Sequence, residues 1–447
     1  MIGKLFFRRK WLMLLALLPF AAAGAQEAEQ PVEGTLELDL NKAIEIALAE
    51  NPTMRIAEDD IELKRVADKA AWQNLLPQAD LSASYSHNFK IQTIVMGGQS
   101  FKMGTENTSN AGISISLPVF APAVYRTMKM TKDDIKLAEE QARSSKLDLV
   151  NQVTKAYYQL ILAQDSYKVL QKSYKQAEDN YKITSAKFDQ GSVSEYDKIT
   201  AEVQMRNILP NVVSAENAVR MAKLQLKVLM GVTANVDLLV TDKLENYQDE
   251  VFANLSSNEV NDLSNNTSLK QLDLNQKLLQ HQLRIQKASF LPTLAFTFNW
   301  SYTSMANDYR IFHYRWNPYV YGAFSLSIPL YHASNFTNLK TTRLNMQKLA
   351  ENRLNTERQL NMQATTYRQN MHASTEQVVS NREAMAQAQK ARDISDKRYQ
   401  VGSGTMLELN SSEVALTQAE LTYCQSIYEF MTAKADLDKV LGKSENF

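Results

Sequence analysis

Glycine and proline are scarce in this chain, at 13 and 10 in 447 residues. That is about 5% together, where ordinary usage is about 12%. Turns draw on these two residues, so a chain of two or three loop-rich domains is excluded and the elements must be long. The single Cys424 excludes a disulfide framework and a cysteine metal cage. His87, His281, His313, His332 and His372 lie far apart, and no phosphate-binding loop or HExxH pattern occurs. No nucleophile with a positioned base can be assembled, so neither an enzyme nor a cofactor is expected. Of the 17 methionines, Met205, Met221, Met230, Met346, Met362, Met371 and Met385 are strewn along helical segments, as packing residues and not as a metal path. Lys plus Arg and Asp plus Glu both number 49, a balance without the basic surface that nucleic acid requires. No stretch outside the N-terminus is apolar for 18 residues, so any membrane-spanning part must be β-structure.

What is present begins with Lys4, Arg8, Arg9 and Lys10, an apolar run from Trp11 to Ala23, and the small residues Ala23-Gly24-Ala25. This is the pattern of a secretory leader over residues 1–25. Its run is too short to span a bilayer, so an exported mature chain from Gln26 is expected. With the four basic residues gone, 45 basic side chains face 49 acidic ones and the mature charge is −4.

No Gly or Pro falls between Pro122 and Gly191, between Gly231 and Pro292, or between Pro329 and Gly402. Two of these gaps hold about 70 residues, which as helix would be about 100 Å long. Such helices imply a coiled-coil-like rod or a ring of packed helices. Landmarks of the first half also recur 211 to 215 residues later. Leu75-Leu76-Pro77 returns as Phe290-Leu291-Pro292, and Lys187-Phe188-Asp189-Gln190-Gly191-Ser192 as Arg398-Tyr399-Gln400-Val401-Gly402-Ser403. Val228-Leu229-Met230-Gly231 returns as Lys439-Val440-Leu441-Gly442. The order and offset predict an internal duplication.

Between the paired prolines, apolar and small polar residues alternate. Leu81, Ala83, Tyr85, His87 and Phe89 interleave with Ser82, Ser84, Ser86 and Asn88; Ile113, Ile115 and Leu117 follow. In the second half Leu294, Phe296, Phe298, Trp300 and Tyr302 interleave with Ala295, Thr297, Asn299 and Ser301; Phe324, Leu326 and Ile328 follow. Alternation alone also fits hairpins on a soluble core. The nearly uncharged polar face, the aromatics between Trp300 and Tyr321 (Phe312 among them) and the leader favour transmembrane strands. Four strands cannot close a barrel, so several chains must share one.

Long helices, two similar halves, four strands and a leader together resemble the TolC-like outer-membrane factor family. Local wording agrees: Leu40-Asn41-Lys42-Ala43-Ile44 with Asn51-Pro52, Leu117-Pro118-Val119-Phe120, Ile328-Pro329-Leu330-Tyr331 and Val401-Gly402-Ser403. The resemblance implies a mainly α protein with a small β part, forming a homotrimer. Its twelve-stranded β-barrel would sit in outer-membrane lipid of a Gram-negative bacterium above a periplasmic helical barrel. It implies an exit duct of a tripartite efflux pump or type I secretion system, with a periplasmic adaptor (membrane fusion) protein and an inner-membrane pump of RND or ABC type as partners. An exported coiled-coil structural or adhesive protein without a pore is the alternative.

On this reading residues 26–231 form a first repeat, with a hairpin at about 79–120, a long helix at about 123–190 and a return helix at about 192–230. Residues 232–447 form a second, with a hairpin at about 293–331, a long helix at about 332–401 and a return helix at about 405–441. Pro210 should kink or break its helix. Gly191 and Gly402 stand where a long helix reverses, a position suited to glycine. The resemblance makes Gln190, Gly191, Ser192, Val401, Gly402 and Ser403 the tips that the adaptor contacts. Six residues beyond each glycine stand Asp197 and Glu408, and Ser194-x-x-Asp197 and Thr405-x-x-Glu408 read as capping boxes. The resemblance adds a periplasmic gate role for Glu408, Asp197 and Tyr399, with Tyr399 paired to Asp197 and Glu408 facing the tunnel. Ser411 and Gly404 stand where some members carry a further acid and a gate-locking arginine, which implies a less charged, less tightly latched gate.

Overall fold

The computed structural model describes residues 35–232, 235–253, 261–309 and 314–443; the expected leader at 1–25, Phe312 and His313 lie outside them. The first half runs β1 (Thr35–Leu38), α1 (Leu40–Glu50), α2 (Pro52–Gln73), β2 (Gln78–His87), β3 (Gln92–Met96), β4 (Gln99–Met103), β5 (Asn107–Phe120), α3 (Pro122–Asp189) and α4 (Glu195–Met230). The second runs β6 (Asp237–Val240), a 3-10 turn at Leu244–Tyr247, α5 (Gln248–Ala253), α6 (Thr267–Ala288), β7 (Thr293–Ala306), β8 (Asn317–Ser327), α7 (Ala333–Gln400) and α8 (Met406–Leu441). Helix lengths match between halves: 22 residues in α2 and α6, 68 in α3 and α7, 36 in α4 and α8. No described helix is long and apolar enough to cross a membrane.

Pro52 and Pro122 stand at the first helical positions of α2 and α3, where the missing N–H costs nothing. Helix α4 runs unbroken through Pro210, giving up one backbone bond without ending. The return helices stop on Gly231 and Gly442, each against the start of an earlier short helix, α2 or α6. A Cβ on Gly442 would stand 2.3 Å from the Asn265 carbonyl oxygen, and one on Gly231 2.8 Å from that of Glu50. Beside them, a buried asparagine does two jobs. Asn51 caps α2 by accepting from the Thr53 N–H and donates Nδ2–H to the Leu229 carbonyl at 2.7 Å. Asn266 caps α6 by accepting from the Leu269 N–H and donates to the Val440 carbonyl at 2.7 Å. Each half thus ties its return helix to a short helix with one side chain.

The core lies midway along α3. Tyr157, Leu160 and Ile161 are fully buried there with Ile44 of α1, Leu226 and Met230 of α4, and Ile427 and Phe430 of α8. The parallel pair β1–β6, with Leu36 opposite Leu238, closes one side. Tyr157 and Tyr247 both donate to Asp242 Oδ2, at 2.7 and 3.1 Å. The Leu244 N–H donates to Asp165 at 3.0 Å.

At the far end, four antiparallel strands form a sheet in the order β2-β5-β7-β8, with β2 and β8 as open edges among the described residues. Register aligns the alternation of all four strands. Leu81, Ile113, Trp300 and Val320 form one cross-strand row, and Ser82, Gly112, Ser301 and Tyr319 the next. One face is therefore apolar along its middle, and the other is predominantly Ser, Thr, Asn and Gly. Between β2 and β5, within the hairpin expected at about 79–120, the β3–β4 pair makes a separate ribbon.

Candidate functional site

Each long helix ends in the same six-residue device. After α3, the Gly191 N–H donates to the Phe188 carbonyl at 2.8 Å and the Ser192 N–H to Lys187 at 2.9 Å. After α7, Gly402 donates to Tyr399 at 3.2 Å and Ser403 to Arg398 at 2.8 Å. This reversal needs a left-handed residue, and Gly191 and Gly402 have φ of 69° and 75°. A Cβ on either would meet nothing within 4 Å, so backbone conformation, not crowding, selects glycine. Gln190, Gly191, Ser192, Val401, Gly402 and Ser403 are all exposed, an accessible surface at the extreme end of the helices.

The return helices start on reciprocal capping boxes. Ser194 Oγ accepts from the Asp197 N–H at 3.2 Å while the Asp197 carboxylate takes the Ser194 N–H at 3.3 Å and its hydroxyl at 2.7 Å. Thr405 and Glu408 repeat the exchange at 3.2 and 3.4 Å. The expected pairing of Asp197 with Tyr399 is not what this chain forms. Asp197 is held by its own cap, whereas the Tyr399 hydroxyl lies 3.1 Å from Oγ1 of the fully buried Thr184. The Tyr399 ring packs with Tyr181 against Ala201, Met406 and Leu409, with Lys187 Nζ 5.1 Å from its centroid. Tyr399 therefore joins α7 to α3, not to the tip acid.

Glu408 is exposed but not alone. Its carboxylate lies 3.6 Å from Arg398 Nη1, and Arg398 also donates to the Ser403 carbonyl at 3.2 Å. Gly404 leaves room for this arrangement, since a Cβ there would stand 3.0 Å from Cβ of Arg398. Arginine is thus present at the second tip, but it enters from the last turn of α7.

Above the tips lies a polar contact that sequence reasoning missed. Glu413 of α8 is 5% exposed. It accepts from Asn180 of α3 at 2.9 Å and lies 3.7 Å from Arg392 of α7. Burial pushes its carboxyl above the usual range, against the opposing pull of Asn180 and Arg392. Cys424 is no reactive thiol, because burial pushes its pKa up to about 12.

A sheet with one apolar face, carried on helices of 68 residues that reverse at exposed tips, fits a subunit of a membrane channel. The chain belongs to the outer membrane efflux protein family, whose sequence profile matches residues 43–232 and 260–443. It is 23% identical over 424 residues to Outer membrane protein TolC of Escherichia coli, covering 90% of this chain and 82% of that one. Among solved structures, it is similar to the CmeC outer membrane channel of Campylobacter jejuni (TM-score 0.70, 18% identity, 90% and 85% coverage). It is similar also to the open state of the MtrE outer membrane channel of Neisseria gonorrhoeae (TM-score 0.70, 19% identity, 90% and 88% coverage). The chain is accordingly an efflux channel of the outer membrane, with its long helices on the periplasmic side.

Proposed function

We propose that three copies join their sheets edge to edge, β2 of one to β8 of the next, into a twelve-stranded barrel continuous with a tunnel of twelve helices. The observation that carries this is the open sheet: the outer edges of β2 and β8 have no partner strand among the described residues, and the cross-strand rows run to both edges without a change of face. Lipid does not tolerate unpaired strand edges, and a closed trimer satisfies them while putting the Ser, Thr and Asn face on a pore. The two halves are read as duplicated repeats, 26–231 and 232–447.

In this reading the trimer is a passive conduit. A periplasmic adaptor meets the exposed Gly191 and Gly402 tips, and an inner-membrane pump of RND or ABC type delivers the substrate. The tip is the gate. Tyr399 and Glu413 hold the α7–α8 pair against α3, and three copies of Glu408 place carboxylates around the narrow end, partly offset by Arg398. Detergent extraction of outer membranes with mass determination of the particle tests the assembly: three chains are expected, and a monomer or dimer rejects it. For the gate, Glu408→Gln is expected to weaken cation preference in planar-bilayer conductance. Unchanged selectivity removes Glu408 from the gate.

A further inference from the structure

Directly below the sheet, α2 and α3 enclose a groove of about 750 Å³ lined by Lys69, Trp72, Leu76, Tyr125, Lys129 and Lys132. Asp68 also lines it, and its carboxylate accepts the Thr131 hydroxyl. Trp72 is 53% exposed. None of the three lysines has an acidic partner among the described residues. Basic and apolar character recurs in the other half. At the 215- and 211-residue offsets, Lys69, Leu76, Tyr125, Lys129 and Lys132 correspond to Arg284, Leu291, Phe336, Lys340 and Arg343. Residues 280–292 and 332–348 contain no Asp or Glu at all, in a chain whose expected mature form is net acidic.

Position gives this chemistry a meaning. Strand β2 starts at Gln78 and β5 ends at Phe120, so Trp72 and Tyr125 stand one to two helical turns from the strand ends. Strands of 10 to 14 residues tilted at about 45° fill a hydrocarbon layer of about 30 Å. The groove then falls at headgroup depth on the periplasmic side, where amphipathic aromatics settle and basic residues meet lipid phosphate.

We propose that this groove is a binding site for an anionic phospholipid of the periplasmic leaflet. Lys69, Lys129 and Lys132 take the phosphate headgroup, while Trp72, Leu76 and Tyr125 cover the first acyl carbons. The second half's Arg284, Lys340, Arg343 and Phe336 continue the same collar around the tunnel wall. The site rests on the outer-membrane placement of the sheet and not on the gate or its partners.

The test is native mass spectrometry of the whole channel from nanodiscs of mixed phosphatidylglycerol and phosphatidylcholine. Phosphatidylglycerol is expected to be retained preferentially. Each of Lys69→Gln, Lys129→Gln and Lys132→Gln should lower the retained ratio about fivefold, while Lys175→Gln, far along α3, and Lys390→Gln, far along α7, leave it unchanged. No preference in the wild-type channel, or a preference indifferent to the three lysines, overturns the proposal. Orientation is read separately from Trp72 fluorescence in a W300F/W316F background. Quenching by headgroup-spin-labelled lipid is expected. Quenching by aqueous iodide alone would place the groove on the lumen, as a site for soluble anions, and would also overturn it. Particle mass, measured in the same spectra, shows independently whether the channel has assembled.

Discussion

The same helices are held in two different ways at their middle and at their end. Midway, Tyr157, Leu160, Ile161, Leu226 and Phe430 are buried in a continuous core, with the β1–β6 pair and the Asp242 hydrogen bonds against it. At the tip, the buried apolar cluster among the described residues is Ala201, Met406 and Leu409 with Tyr181 and Tyr399 against it, and the ties around it are polar contacts such as Thr184 with Tyr399, Asn180 and Arg392 with Glu413, and Arg398 with Glu408. Burial stabilises in proportion to apolar area, whereas a net hydrogen bond contributes about 0.5–1.5 kcal/mol. By that measure the middle is held more firmly than the tip, the division that the proposed gate requires.

Tyr157→Ala should show the strongest effect, since it empties a fully buried site and strands the Asp242 contact. A loss of about 3–5 kcal/mol is expected in denaturant unfolding, and a tip-sized loss would erase the contrast. Next come Asn51→Ala and Asn266→Ala, each expected to cost about 1–3 kcal/mol by orphaning a carbonyl and a helix cap; equal losses would show that both halves use the tie alike. Third is Glu413, whose folded pKa is raised. A group of this kind favours the folded contact below its unfolded pKa, and that contribution fades as pH rises through the raised value. The facing groups are Asn180 on α3 and Arg392 and Asp396 on α7. Closed-state conductance should therefore increase with pH above the ordinary carboxylate range, and Glu413→Gln should flatten that part of the profile. Tyr399→Phe removes one hydroxyl contact and is expected to cost no more than about 1.5 kcal/mol while raising closed-state conductance; conductance left unchanged would free Tyr399 from the gate. Smallest is Arg398→Gln, an exposed ion pair worth about 0.2–1 kcal/mol, visible mainly as a stronger cation preference.

Much of this architecture was legible because backbone chemistry writes it plainly. Gaps without Gly or Pro announce the long helices, alternation announces the strands, and Gly191 and Gly402 announce the reversals. Ser194 with Asp197 and Thr405 with Glu408 are local patterns, and local patterns are readable. Side-chain pairs between helices are not. Nothing around Thr184 says that it faces Tyr399 some 215 residues away, and Glu413 looks like any solvated acid until Asn180 and Arg392 close over it. The Asp197–Tyr399 pair, absent within this single chain, was no more readable. The capping box satisfies that carboxylate within its own turn, and a tyrosine on the buried face of α7 finds a nearer hydroxyl. The β3–β4 ribbon was missed because five-residue strands joined by a Gly-Gly turn give little signal beside the strands that flank them.

Equal lengths in the two halves carry a geometric consequence. Because α3 matches α7 and α4 matches α8 residue for residue, both reversals of a chain can end at one height. Three chains would therefore present six flush ends. To a docking partner that feels only shape, such a rim is nearly hexagonal. To one that reads chemistry it is triangular, because Gln190 alternates with Val401 and the arginine-braced Glu408 occurs only at every second point.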